Sequence, residues 1–216
     1  MVLDGQRKNV DPLLTKMSKP FVKINPDVFT WTSVLFAFFA GVFFYFSSPE
    51  VEPTNYFLYF AVIFVFLNGL FDAIDGKIAK LAKKTSVRGD FLDHALDRYA
   101  DVLILGGLAL SPWVQYPIIG LLAIVGMLLT SYMGTQAQAI GYKRDYTGLL
   151  GRADRLVLLM ILPILQHIFL YYSGLQLLGG LYLLEWVLVY FAIVGNITAL
   201  QRFFSTLSWF KKKKKK

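Results

Sequence analysis

The stretch "FDAIDGKIAKLAKKTSVRGDFLDHALDRYAD", residues 71–101, is the most polar passage of a strongly apolar chain, and the reading of the whole turns on it. It contains six aspartates, Asp72, Asp75, Asp90, Asp93, Asp97 and Asp101, out of 14 acidic residues in the protein. Apolar runs press in on both sides. Asp72 and Asp75 are three apart at the end of one run, and Asp93 and Asp97 are four apart at the start of the next. Both spacings place the pair on one face of a helix. Residues 81–90 read as a hairpin loop between the two helices, which turns the acid pairs toward each other.

The flanking composition sets the fold class. Of 216 residues, 56% are hydrophobic and 16% aromatic, too apolar for an ordinary soluble domain. Six apolar segments have the length a bilayer core demands, at about 28–47, 55–75, 91–111, 117–139, 156–173 and 181–204. The expected fold is therefore all-α, a polytopic membrane protein with six transmembrane helices.

Charge gives the orientation. All 22 Lys and Arg fall in the N-terminal segment, in 77–98, in 143–155 or in 202–216. The connections near 48–54, 112–116 and 174–180 have none, and the first carries Glu50 and Glu52. With six spans every basic segment lies on one side, the cytoplasmic side by the positive-inside rule. The expected location is the plasma membrane, multi-pass, with the aspartates facing the cytoplasm. The net charge of +8 then reads as a cytoplasmic charge belt and not as a nucleic-acid surface. The lysine run at 211–216 suits anionic headgroups, at about 1 kcal/mol per Lys near the surface.

Before the first span, Val10, Leu13, Leu14, Met17 and Phe21 recur at helical spacing among Lys16, Lys19 and Lys23. This predicts an amphipathic helix on the interface, with Asp11 as cap, Pro12 at its first position and Pro20 ending it. No cleavable signal peptide is evident, and the absence of cysteine excludes disulfides and thiol catalysis. The chain divides into a juxtamembrane segment at 1–27, a membrane domain at 28–210 and a lysine tail at 211–216.

Burial makes the aspartates demanding. One Asp at mid-membrane costs about 2.5–3.5 kcal/mol, so four must meet water, protons or cations. Four converging carboxylates without His or thiolate make a hard, oxygen-only site for Mg²⁺, Mn²⁺ or Ca²⁺, and two divalent ions would match their charge. Gly76, Ala79 and Gly89 leave room beside the acids, either for a ligand or for close helix packing.

Read as D-x-x-D-G-x-x-A-K, eight residues, then G-x-x-x-D-x-x-x-D, residues 72–97 closely resemble the signature of the CDP-alcohol phosphatidyltransferases. One position departs, since the family usually has Arg where this chain has Lys80; lysine keeps the charge and loses bidentate phosphate binding. The resemblance implies that Asp72, Asp75, Asp93 and Asp97 bind two Mg²⁺ or Mn²⁺ ions and that Asp97 also takes the acceptor's proton. It implies that Gly76, Ala79, Lys80, Ser86 and Gly89 surround a CDP-linked lipid, and that the protein is a homodimer. The segment "NPDVFT", residues 25–30, resembles the family's approach to its first span, which puts Asp27, Val28, Phe29 and Thr30 near the donor; Asp27 reads equally as a helix cap. His94 and His167 read as packing or hydrogen-bonding residues, and Asp90 and Asp101 as polar lining or ion-pair partners.

The acceptor is read from "GYKRDYTGLLGRADRL", residues 141–156. Arg152 and Arg155 share a helix face and form a candidate phosphate clamp beside Lys143 and Arg144, though positive-inside charge alone would also put them there. With "SYMGTQAQAIGYKR", residues 131–144, the segment resembles the inositol-phosphate-using branch of the family. The expected activity is transfer of a phospholipid moiety from CDP-archaeol or CDP-diacylglycerol to inositol phosphate, with release of CMP. A glycerol phosphate acceptor is the alternative within the class. A divalent-cation carrier is the rival outside it, although no internal repeat of the transporter kind is visible.

Overall fold

The computed structural model describes residues 7–50, 54–142, 147–173 and 179–213. Lys143, Arg144 and the lysines at 214–216 lie outside them. The described chain is all-helical: α1 (Arg7–Ser18), α2 (Pro26–Phe46), α3 (Phe57–Leu81), α4 (Val87–Ala109), α5 (Pro117–Ala139), α6 (Arg152–Ile168) and α7 (Leu183–Lys213). A π-helical turn, Phe169–Ser173, follows α6.

Five helices are long and apolar enough to cross a membrane: Pro26–Phe46, Phe57–Leu81, Pro117–Ala139, Arg152–Tyr171 and Leu183–Lys211. The sixth expected span corresponds to α4, which has 23 residues but does not meet that measure. Its first four turns carry Arg88, Asp90, Asp93, Asp97, Arg98 and Asp101, and its apolar stretch is confined to the C-terminal half. Helix α7 continues past residue 210, to Lys213.

Local signals account for the helix ends. Asn25 caps α2 by accepting from the Asp27 amide at 3.1 Å, with Pro26 at the first helical position. Ser86 caps α4 through the Gly89 amide at 3.0 Å. Helix α1 begins earlier than expected, at Arg7, so Pro12 lies inside it and Asp11 is not its cap. Pro20 falls in the short 3₁₀ turn just beyond α1, as the sequence predicts.

The bundle is built on close backbone approaches. Helix α2 packs along α3 and α4, and α5 packs along α7. A side chain at Gly107 of α4 would sit 2.1 Å from the Gly41 carbonyl oxygen of α2, so the two backbones touch where only glycine fits. On the far side of the bundle, Gly126 of α5 meets the Asn196 amide nitrogen on α7 in the same way. The core between these helices contains Phe44, Leu58, Ile104, Leu108, Trp113, Leu184 and Phe191, all fully buried or nearly so.

The α3–α4 turn is shorter than the loop predicted from sequence. Helix α3 ends in a Schellman arrangement: the Lys84 amide donates to the Ala79 carbonyl at 2.9 Å and the Lys83 amide to Lys80 at 3.2 Å. Five residues, 82–86, then suffice to reverse the chain. Lys83 occupies the left-handed position, φ 53°, normally reserved for glycine. Lys83→Gly is therefore expected to raise stability by about 0.5–1 kcal/mol, read as a higher melting temperature of the detergent-solubilised protein. A lower melting temperature would mean that the lysine contributes more through its side chain than its backbone costs.

Candidate active site

Four helices bring their ends together on one side of the bundle: the C-terminal turns of α3, the first half of α4, the N-terminus of α6 and the N-terminus of α2. Because α3 and α4 are antiparallel and joined by five residues, Asp72 and Asp75 lie opposite Asp93. One carboxylate oxygen from each of Asp72, Asp75 and Asp93 lies within 4.8 Å of the others. Asp93, His94 and Asp97 form a second, overlapping group within the same distance.

The surroundings of the acids are uneven. Asp75 is buried beside Thr30 of α2, whose hydroxyl donates to the Pro26 carbonyl, and its Oδ2 has no hydrogen-bond partner among the described residues. Gly76, one residue on, is exposed, and a side chain there would meet nothing within 4 Å. Three hard oxygen donors, an orphaned buried oxygen and open space beside the backbone fit a divalent cation with a phosphate ligand.

Arginines supply the positive charge. Arg152 Nη1, on the first turn of α6, donates to Asp72 Oδ2 at 2.6 Å and lies 2.7 Å from Asp97 Oδ1. Its Nε is 3.6 Å from Asp101 Oδ1, and Arg155 Nη2 donates to Asp101 Oδ2 at 3.0 Å. The phosphate clamp expected from sequence is thus tied to carboxylates of α3 and α4, with Arg155 buried behind it. Arg98 completes the set, with Nη2 3.2 Å from Asp97 Oδ2 and Nη1 bonded to Ser131 of α5.

The other expected donor residues spread out from this centre. Asp27 is paired with Arg88 at 2.6 Å, joining the start of α2 to the start of α4. Val28 is exposed, whereas Phe29 packs against Ile74, Ile78 and Phe71 and supports α3 from behind. Thr30 lies beside Asp75. Lys80 and Ser86 are exposed, Ala79 and Gly89 half-buried, and Ser86 is occupied with its cap. Sequence reasoning passed over Arg98; Asp101, read as polar lining or an ion-pair partner, pairs with Arg152 and Arg155. Arg98 directly follows Asp97 and so belongs to a different helix face; only its long side chain brings it to Asp97, and no spacing rule signals that. His94 lies 3.0 Å from Asp90, in keeping with a hydrogen-bonding residue.

The CDP-alcohol phosphatidyltransferase family profile matches residues 23–201. The archaetidylinositol phosphate synthase of Pyrococcus horikoshii is 26% identical over 203 residues, covering 93% of this chain and 94% of that protein. The phosphatidylinositol phosphate synthase of Cutibacterium acnes is 26% identical over 208 residues, covering 92% of each. The crystal structure of Mycobacterium tuberculosis phosphatidylinositol phosphate synthase with CDP-DAG bound superposes with a TM-score of 0.68 at 21% identity, covering 90% of this chain and 94% of that one, a likeness of fold. With its signature aspartates gathered at one end of an all-helical membrane bundle, this chain belongs to the CDP-alcohol phosphatidyltransferase family and is an enzyme of that class.

Proposed function

We propose that the protein transfers the phospholipid moiety of a CDP-linked lipid to inositol phosphate, releasing CMP, at a site that faces the cytoplasm across the plasma membrane. The observation that carries this reading is the meeting of Asp72, Asp75 and Asp93 within 4.8 Å beside an open Gly76 and next to an arginine pair on α6. In this reading α4 is the sixth span, packed on α2 and α5 with its acids tied to α6 by salt bridges, and α1 lies on the interface as an amphipathic helix.

Asp72, Asp75, Asp93 and Asp97 would hold two Mg²⁺ or Mn²⁺ ions. When bound, such ions neutralise the donor's diphosphate and stabilise its leaving oxygen. Thr30 of α2 stands beside Asp75, and Arg98 orients Asp97. The acceptor hydroxyl oxygen attacks the lipid-bearing phosphorus and its proton passes to an Asp97 carboxylate oxygen. The bond from that phosphorus to the bridging oxygen breaks, and CMP departs with the electron pair. Gly76 and Ala79 give the donor access to the α3 backbone, Lys80 supplies positive charge, and Ser86, Gly89 and residues 27–30 close its rim. Arg152 and Arg155 form the acceptor side. The use of inositol phosphate is supported by the two synthases named above, each matched over more than nine-tenths of this chain, and by the arginine pair. Whether the lipid is archaeol-like or diacylglycerol-like does not alter this chemistry, and two copies form a homodimer.

Purified protein given a CDP-lipid and inositol phosphate should release CMP in Mg²⁺ or Mn²⁺ and stop in excess chelator. Glycerol phosphate and unphosphorylated inositol should be poor acceptors. Faster CMP release with glycerol phosphate would reassign the acceptor, and full turnover in chelator would remove the metal from the reading.

Asp97→Asn should lower kcat by orders of magnitude with CDP-lipid binding largely kept, whereas Asp72→Asn should weaken donor binding as well. Arg152→Gln should raise the acceptor KM about 10- to 150-fold, the worth of one charged hydrogen bond, with little change in donor KM. Near-normal turnover of Asp97→Asn would mean that another group takes the proton.

A further inference from the structure

Arg152 occupies a position that a cation would also seek. A single nitrogen, Nη1, lies 2.6 Å from Asp72 Oδ2 on α3 and 2.7 Å from Asp97 Oδ1 on α4, bridging two helices as a bound ion would. It is nevertheless poorly satisfied there: Nη2 is buried with no hydrogen-bond partner among the described residues, and Nε reaches Asp101 only at 3.6 Å. Arg155, one turn on, reaches only Asp101, at 3.0 Å, and its side chain is 8% exposed against 17% for Arg152. Of the two, Arg152 is the less buried and the one that engages the acids of the proposed metal set.

We propose that Arg152 is an exchangeable internal cation, which balances Asp72 and Asp97 until a second divalent ion takes their oxygens and so frees it for the acceptor's phosphate. The proposal rests on the two-ion reading above. A guanidinium cannot shed its proton, so it remains a competing positive charge at any pH the protein meets. The same carboxylate lone pairs cannot serve Nη1 and a metal ion at once, and like charges at that spacing repel. The competition covers only half of the cluster. Asp75 keeps an unengaged Oδ2, and the Asp72–Asp75–Asp93 group retains oxygens that Nη1 does not use, so a first ion binds without displacing Arg152. The second ion must displace it. Metal loading and capture of the acceptor phosphate are thereby linked through one side chain, and an enzyme with only one ion bound holds its acceptor ligand in reserve.

Direct Mn²⁺ binding, measured by the electron paramagnetic resonance signal of free Mn²⁺ against detergent-solubilised full-length protein, tests this without turnover. The wild type should bind two ions, one tightly and one weakly. Arg152→Gln should tighten the weak site about tenfold or more, the loss of a charge-assisted competitor, and leave the tight site within about threefold. Arg155→Gln removes the same charge from the next turn without touching Asp72 or Asp97, and should shift the weak site by much less. Arg152→Lys retains a point charge without the fork, should shift the weak site in the same direction by a smaller factor, and serves if the glutamine variant does not fold. An unchanged or weakened second site in Arg152→Gln, or an equal shift in Arg155→Gln, would overturn the exchange while leaving the metal site intact. Failure of the wild type to bind Mn²⁺ at all would instead overturn the two-ion reading and the exchange with it.

Discussion

A carboxylate within a membrane bundle cannot be left to itself, and this constraint organises the working end of the molecule. Five aspartates, Asp72, Asp75, Asp93, Asp97 and Asp101, converge with three guanidiniums, Arg98, Arg152 and Arg155. Each uncompensated Asp at depth costs about 2.5–3.5 kcal/mol, so the arginines are a condition of the helices assembling at all. They come from α4 and α6, which means that α6 is recruited to the site by charge and not only by its apolar face. The balance still falls short by two negative charges. That deficit draws cations to the cluster.

Packing supports the same arrangement from further away. The contact of Gly41 with Gly107 brings α2 against α4 with backbones touching, which sets how far α4 rises relative to α2. Thr30 and Asp27 near the start of α2 then fall level with Asp75 and with Arg88 at the start of α4. Phe29, wedged against Phe71, Ile74 and Ile78, steadies the α3 turn that carries both of its acids. The register of a glycine contact in mid-bundle is thus transmitted to the acid cluster.

Much of this was legible in the sequence because it depends on periodicity. Aspartates three or four apart must share a helix face, and helices on either side of a short connection must be antiparallel, so the meeting of the two acid sets followed from counting. What depends on reach was not legible. The five-residue turn requires Lys83 to adopt a left-handed conformation that its side chain disfavours, and no residue type announces it. Arg98 lies off the acid face of α4 and returns to Asp97 only through its length. The arginines of α6 were correctly paired with each other by spacing, but their closest partners lie more than fifty residues away, on α3 and α4, where spacing rules carry no information. Helix α4, the sixth expected span, is too polar to qualify by composition, and part of its charge is balanced by Arg152 and Arg155 of α6, which composition does not register.

The opposite end of the bundle makes the contrast plain. There Ser47 accepts from the Trp113 indole at 2.8 Å, Gln166 accepts from the Leu183 amide at 2.7 Å, and the fully buried Glu185 accepts from the Tyr116 amide at 2.8 Å. Gln166 and Glu185 each give an acceptor to a backbone amide at the start of a helix, and Ser47 gives one to a buried indole. They are spaced apart, and one carboxylate serves where the other end has five. A polar group recruited for stability needs only enough charge or dipole to satisfy a neighbour. The aspartate end exceeds that need and gathers like charges that repel one another. Such an arrangement lowers stability by itself and is maintained only by a ligand that rewards it. The excess of negative charge, more than the presence of any single aspartate, marks this end of the bundle as the reactive one.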